Sequence, residues 1–316
     1  MGQSFWKIVN YINAETDISK IKIFFDILKC NIKYGFSPVD YNIYKAYNIT
    51  EELRKNILSK RENKKLRIKY NKIKDINAFK NREIFNKKFN LYLGFNWLYL
   101  NGTNIKDYYN FIKDKNIIYA LPINLSDKSW KKVNINLKNY TNTYNDLVLS
   151  KYSIVIDNFF QNKALAKLNS FSLNIIRFIV LNGNIYSCYL ITSKDKESII
   201  KNNNIYASIN LETGIIDYKG ITIYQDTYEI HPLSNEKIVN FQIPKWPRSK
   251  RLVCKVAEIV KELKYLEIDI TISEDKPILL NVNPFPNYQI VQLLNLVNYS
   301  TGLKSNINYL LKEKNK

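Results

Sequence analysis

Acidic and amide oxygens gather in one short stretch, Glu267-Ile-Asp-Ile-Thr-Ile-Ser-Glu-Asp-Lys-Pro-Ile-Leu-Leu-Asn-Val-Asn283. It reads as two strands joined by a tight polar turn over Ser273 to Pro277. Side chains alternate faces along a strand. Glu267, Asp269 and Thr271 therefore share one face of the first strand, and Ile268, Ile270 and Ile272 share the other. Asn281 and Asn283 share a face on the second strand, with Val282 behind them. Oxygen donors on neighbouring strands suit a hard cation such as Mg²⁺. The same pattern also fits a solvated hairpin with one apolar face.

Other chemistries find little support. His231 is the single histidine, and Cys30, Cys188 and Cys254 are isolated. A zinc site and a histidine-based triad are therefore not expected. There is no Gly-x-Gly-x-x-Gly and no Walker loop, so the common phosphate cradles are absent. Scattered cysteines fit buried thiols in a reducing cytosol, which points to a cytoplasmic protein. No signal peptide and no transmembrane stretch are read from the sequence.

The 316 residues suffice for one large domain or two ordinary ones, and a 46% hydrophobic content supplies a sizeable core. The net charge of +20 raises nucleic acid and anionic membranes as partners. The chain is, however, saturated with Lys, Asn, Ile and Tyr, the residues of AT-rich codons. Its basic residues are spread out, and the densest run, Lys60 to Lys69, has the spacing of a solvated helix face. Nucleic acid is accordingly not the expected partner. A basic surface favours acidic substrates such as nucleotides or uronate sugars. The oligomeric state is not legible.

Several elements position the hairpin. Asp17 to Lys33 carries apolar residues at helical spacing, ending near Tyr34-Gly35, and a turn at Gly35 to Tyr41 can cap a new helix near Ser37. Helical patterns continue to Lys69 and again from Asn81 to Leu93. Strands are expected at Asn116 to Pro122, Ser153 to Phe160, Asn174 to Leu181, Ile185 to Thr192, Ile205 to Leu211 and Ile215 to Tyr224. Asn182-Gly183-Asn184 is a hairpin signal. An amphipathic helix is expected over Arg248 to Tyr265 and another from Asn287 to Val297. Strands in hairpins and helices in blocks make an α+β pattern.

With that order in hand, several stretches together resemble the sugar-transfer-associated branch of the ATP-grasp superfamily. They are Tyr34 to Tyr41, Asn81-Arg-Glu-Ile-Phe-Asn-Lys-Lys-Phe89, Tyr92 to Trp97, Ser170-Phe-Ser-Leu-Asn-Ile-Ile-Arg177, Asn210 to Gly214, His231-Pro232, Ile243-Pro-Lys-Trp246 and the hairpin itself. The resemblance runs from about residue 20 to 300. It implies an ATP-grasp fold with two α+β subdomains and a helical N-terminal region, divided as 1–75, 76–152 and 153–316. It also implies ATP and Mg²⁺ as cofactors. The activity implied is a carboxylate–amine ligation through an acylphosphate, in the synthesis of surface polysaccharides, with a nucleotide and an acidic sugar or amino acid as ligands.

Carried over residue by residue, Asp269 falls at a metal-binding aspartate and Asn283 at a ligand asparagine. Asn281 occupies the place of the family glutamate, which removes a bidentate anionic ligand. Arg177 falls at the arginine near the transferred phosphoryl group. Pairing of Arg177 with a carboxylate is the alternative. Arg82 stands where a nucleotide-binding lysine is usual, and Leu121 where a second is. Asp157 lies in the adenine-side hinge, Val155-Ile-Asp-Asn-Phe159. Phe95 replaces an arginine. The flap, Asn124 to Ser129, has no glycine, so its N–H groups approach phosphate less easily. His231 matches a family His-Pro and has either a structural or a substrate role. Two readings follow: a diverged enzyme, with Glu267 as a replacement ligand and Lys128, Lys131 and Lys132 on phosphate, or a fold kept for binding without turnover.

Overall fold

The computed structural model describes residues 2–72, 79–125, 127, 130–158, 160–196, 203–305 and 307. The N-terminal region is helical, with helices at Gly2–Glu15, Lys20–Tyr34, Pro38–Ile43, Glu51–Asn56 and Lys60–Tyr70. The boundaries have local causes. The Ser19 hydroxyl accepts the Lys22 N–H, and Gly35 ends the same helix with φ 78°, a left-handed conformation that glycine adopts without strain. Ser37 and Asp40 then cap the next helix reciprocally.

Two antiparallel sheets follow. The smaller contains β1 (Trp97–Tyr99), β2 (Ile117–Leu121), β3 (Lys131–Asn134) and β4 (Ile154–Asp157), in the order β1-β4-β2-β3. β4 follows the boundary expected after residue 152 and pairs with β1 and β2. The larger sheet has the order β11-β10-β5-β6-β7-β8-β9. Its strands are β5 (Ile175–Leu181), β6 (Asn184–Ser193), β7 (Asn204–Ser208), β8 (Gly220–Ile221), β9 (Thr227–Tyr228), β10 (Tyr265–Ile272) and β11 (Pro277–Asn283). The expected α+β architecture, two such units preceded by helices, is what the chain adopts.

One face of the larger sheet, with Phe178, Leu190, Ile268 and Ile270, packs on the helix Trp246–Ile259. The other, with Ile179, Tyr189, Ile191 and Tyr265, is covered by the helix Tyr288–Tyr299 and the N-terminal helices. Polar ties fix that cover. Tyr265 donates its hydroxyl to Asn63, Asn71 bonds both the N–H and the C=O of Tyr265, and Gln292 accepts the Leu58 and Leu303 N–H groups.

Two expectations are corrected. The strand expected over Ile215 to Tyr224 shrinks to Gly220–Ile221. The Asn210 side chain accepts the Glu212 and Thr213 N–H groups and turns the chain; Ile216 then makes only an isolated bridge to Ile209, just past β7, while Ile215 bridges Gln242 and the Ile216 N–H bonds the Phe241 carbonyl. The helix expected to reach Tyr265 ends at Ile259, and Tyr265 opens β10. Of the three cysteines, Cys30 and Cys188 are buried and Cys254 is exposed.

Candidate functional site

β10 sits between β5 and β11, and the register decides what meets what. Asp269 lies opposite Arg177 on one side and Asn281 on the other, and Glu267 lies opposite Asn283. Arg177 in turn faces Tyr189 on β6. The hairpin face read from the sequence is therefore assembled, with Arg177 inside it.

The hairpin is not solvated on that face. Glu267 is 2% exposed and Asp269 5%. Arg177 holds Asp269 with two parallel bonds, Nε to Oδ1 at 2.7 Å and Nη2 to Oδ2 at 2.9 Å. Its Nη1 lies 3.1 Å from Glu267 Oε1. Asn283 Nδ2 donates to the same Glu267 oxygen at 3.2 Å, and the Asn287 N–H donates to the other at 2.8 Å. Each carboxylate oxygen of the pair thus has a donor. Asn281 makes no side-chain hydrogen bond among the described residues.

Charge follows from burial. Desolvation disfavours the guanidinium cation, but Asp269 and then Glu267 outweigh it and hold Arg177 well above its ordinary value. Burial raises the Glu267 carboxyl above its usual range, with Arg177 pulling it down and Asp269 pushing it further up. Burial likewise raises the Tyr189 hydroxyl. The result is a closed ion cluster of two carboxylates around one arginine.

Does this set fit Mg²⁺? A magnesium ion needs anionic oxygens free to point at it in octahedral geometry. Here both carboxylates are turned onto a guanidinium, and the third family position is the neutral Asn281. The arrangement does not fit the ion. Among the described residues no group of three or more His, Cys, Asp or Glu side chains is placed to hold a metal.

The nucleotide-side residues sit elsewhere. Arg82 opens the helix Arg82–Leu93 and is buried. Its Nε donates to the Pro122 carbonyl at 3.2 Å, and burial lowers it to about 10 against the pull of Asp127. It shares no bond with the Arg177 cluster. Leu121, at a lysine position, joins Ile154 and Ile156 in an apolar cluster, and Phe95, at an arginine position, packs against it. Both expected cations are thus replaced by hydrocarbon in one place. Asp157 accepts from Asn96 Nδ2 at 2.7 Å through Oδ2, while its Oδ1 is buried without a partner among the described residues. That oxygen is an acceptor an amino group would satisfy. Lys131 and Lys132 are exposed on β3. Lys128 lies outside the described residues.

His231 is not part of either group. It is fully buried, its Nε2 lies 3.0 Å from the Ser193 carbonyl, and its Nδ1 accepts the Leu233 N–H. Burial lowers its pKa, so the folded protein keeps it neutral. The unfolded chain binds this proton near pH ~6.5 and the folded one only lower. Stability should therefore fall as pH drops below ~6.5, by at most ~1.4 kcal/mol per pH unit from this group. Urea melts at pH 7 and 5.5 should show the fall in the wild type and a smaller one in His231→Gln.

Sequence reasoning missed Tyr189 and the Asn287 N–H. Tyr189 is set opposite Arg177 by a register shift between Ile179 and Val180. No residue pattern announces that shift.

The family model for sugar-transfer associated ATP-grasp proteins matches residues 134–308, more than half of the chain. Curated proteins give no significant match. Similar solved structures include the ATP-grasp ligase PsnB complexed with minimal precursor, at 10% identity over 69% of this chain and 56% of that one, TM-score 0.42. D-alanine–D-alanine ligase from Bacillus anthracis is similar at 9% identity over 74% and 67%, TM-score 0.44. The macrocyclase MdnC bound with precursor peptide MdnA from Microcystis aeruginosa MRC is similar at 11% identity over 77% and 63%, TM-score 0.44. The chain spans a little over half the length of PsnB. With most of its second half matched by one family model, the chain belongs to the sugar-transfer associated ATP-grasp family.

Proposed function

We propose that this protein serves cell-surface polysaccharide synthesis as an ATP-grasp-fold binding protein, engaging a sugar, a nucleotide or a partner enzyme without turnover. The observation that carries the reading is the engagement of Asp269 and Glu267 by Arg177. An acylphosphate-forming ligase needs its carboxylates on metal to neutralise phosphate charge. Leu121 and Phe95 point the same way, since a nucleotide cradle needs cations where they supply hydrocarbon. The family's association with sugar transfer supports the pathway. Three free cysteines support a reducing, cytoplasmic setting.

A second reading is an active ATP-dependent carboxylate–amine ligase working through an acylphosphate. It is favoured by the retention of Arg177, Asp269 and Asn283 on one face. The two readings part on turnover and on linkage. A ligand at one hundred times its Kd stabilises a fold by about 2.7 kcal/mol. The binding-protein reading predicts no ADP release across a set of sugar acids and amino acids, and no rise in melting midpoint that requires Mg²⁺ together with ATP. ADP release dependent on one acid and one amine would establish the ligase instead.

A further inference from the structure

We propose that the outer face of the helix Lys20–Tyr34 docks the protein onto an anionic membrane surface. The helix buries Ile23, Ile27 and Cys30 inward. Its opposite face carries Ile21, Phe25, Leu28 and Ile32, spaced four, three and four apart and exposed by 72%, 63%, 39% and 78%. Residues at that spacing form one stripe along a helix. The stripe is widened by aromatic neighbours. Trp6, 51% exposed, stacks on Phe24, and Phe24 meets Phe25 edge to face. Single exposed apolar residues are ordinary on a protein surface, but a contiguous stripe marks an interaction site.

Charge selects the occupant. Lys22 and Lys29 run along one edge of the stripe, and Lys20 stands at its start. All three are exposed, and none has an ion pair among the described residues. Of the acidic side chains beside the stripe, Asp26 is engaged by Arg54 and Glu51 by Lys33, and Glu15 and Asp17 stand before the start of the helix. A second copy on this face would set lysines against lysines. An anionic lipid surface meets both features, with acyl chains under the stripe and headgroups at the lysines. Beside the stripe lies a cleft of about 540 Å³ whose lining includes Lys22, Lys29, Phe25, Tyr41, Arg54 and Asp26. Arg54 is committed to Asp26 and to the Ala46 carbonyl, so Lys22 and Lys29 are the cations the cleft offers to a phosphate. The helix spans about 22 Å, lying along the surface. No helix among the described residues is long and apolar enough to cross a membrane.

The test is co-sedimentation of the full chain with vesicles of phosphatidylcholine alone and of phosphatidylcholine mixed with phosphatidylglycerol. Binding to the mixed vesicles, weakened by salt, is expected, with little on the neutral ones. Lys22→Gln and Lys29→Gln should each weaken it about fivefold. The pair Phe25→Glu and Ile32→Glu should remove it while leaving the melting midpoint unchanged, because both side chains are exposed. Equal binding to neutral vesicles, or undiminished binding by the Phe25/Ile32 variant, would overturn the proposal. A dimer lost in that variant, with no vesicle binding by the wild type, would overturn it in favour of self-association.

Discussion

Replacing Arg177 by Met is expected to destabilise the fold by about 3–5 kcal/mol at pH 7, the range for a buried ion cluster that loses one partner. The cost comes from what is left behind. Asp269 and Glu267 would remain buried, side by side and both negative. The loss should be partly reversible with acid. Without the guanidinium, the folded carboxylates bind protons more tightly than the unfolded ones. Stability then falls as pH rises from the unfolded value, about 4.3, through the raised folded values. Melts between pH 7 and 4.5 should show the variant regaining stability relative to the wild type. In the wild type the raised Glu267 contributes a weaker trend of the same sign, opposite to the contribution of His231. The double variant Arg177→Met with Asp269→Leu should recover much of the loss at pH 7, because an apolar replacement of a buried pair is tolerated.

The second large effect is expected at Asp40. This carboxylate is fully buried. One oxygen accepts the Ser37 N–H and hydroxyl, closing the cap of the helix Pro38–Ile43. The other accepts the Tyr288 hydroxyl and Gln289 Nε2 from the helix that covers the sheet. Asp40 thus joins the N-terminal helices to the ATP-grasp core through two bonds, while two more hold it in its own cap. Asp40→Ala strands these donors in the interior, at ~1–3 kcal/mol for each one that water cannot reach. A total loss of about 3–5 kcal/mol is expected in urea denaturation. Asp40→Asn, which keeps acceptor capacity, should lose less. If the helical region were merely appended to the core, Asp40→Ala would melt the N-terminal helices and leave the main transition in place.

The helices were legible because their signals are local. Ser19, Ser37 and Asn81 cap the helices that follow them, and the apolar spacing of Ile23, Ile27 and Cys30 names the buried side. The hairpin was legible as strands carrying a candidate site, but the pairing of its side chains was not. Counting from the turn, Ile272 pairs with Pro277 and Ile270 with Leu279. Continued without interruption, that count would set Asp269 against Leu280 and send Asn281 to the opposite face. A bulge between Asp269 and Ile270 restores Asp269 to Asn281. A second bulge, between Ile179 and Val180, sets Arg177 beside Tyr189 instead of Cys188. Two one-residue shifts, invisible to alternation, decide which oxygens and nitrogens meet. The covering of the face by the N-terminal helices was equally hidden, because it depends on contacts such as Tyr265 to Asn63, some two hundred residues apart in sequence.

Leu121, Phe95 and Asn281 depart from the family pattern at nucleotide and metal positions far apart in sequence. In the structure the first two share an apolar cluster, and the third faces an aspartate already paired. The losses are mutually consistent. The apolar cluster at Leu121 offers phosphate no cation, and both Asp269 oxygens are turned onto Arg177.

The central claim is that Arg177 holds the place a metal would take. Electron paramagnetic resonance of Mn²⁺, used in place of Mg²⁺, tests it most directly by titration into the full-length protein with and without ATP. The account predicts no protein-bound Mn²⁺ beyond that held by ATP itself, and no change on substituting Asn281 by Glu while Arg177 is present. Stoichiometric Mn²⁺ bound to the wild type and lost in Asp269→Asn would contradict it.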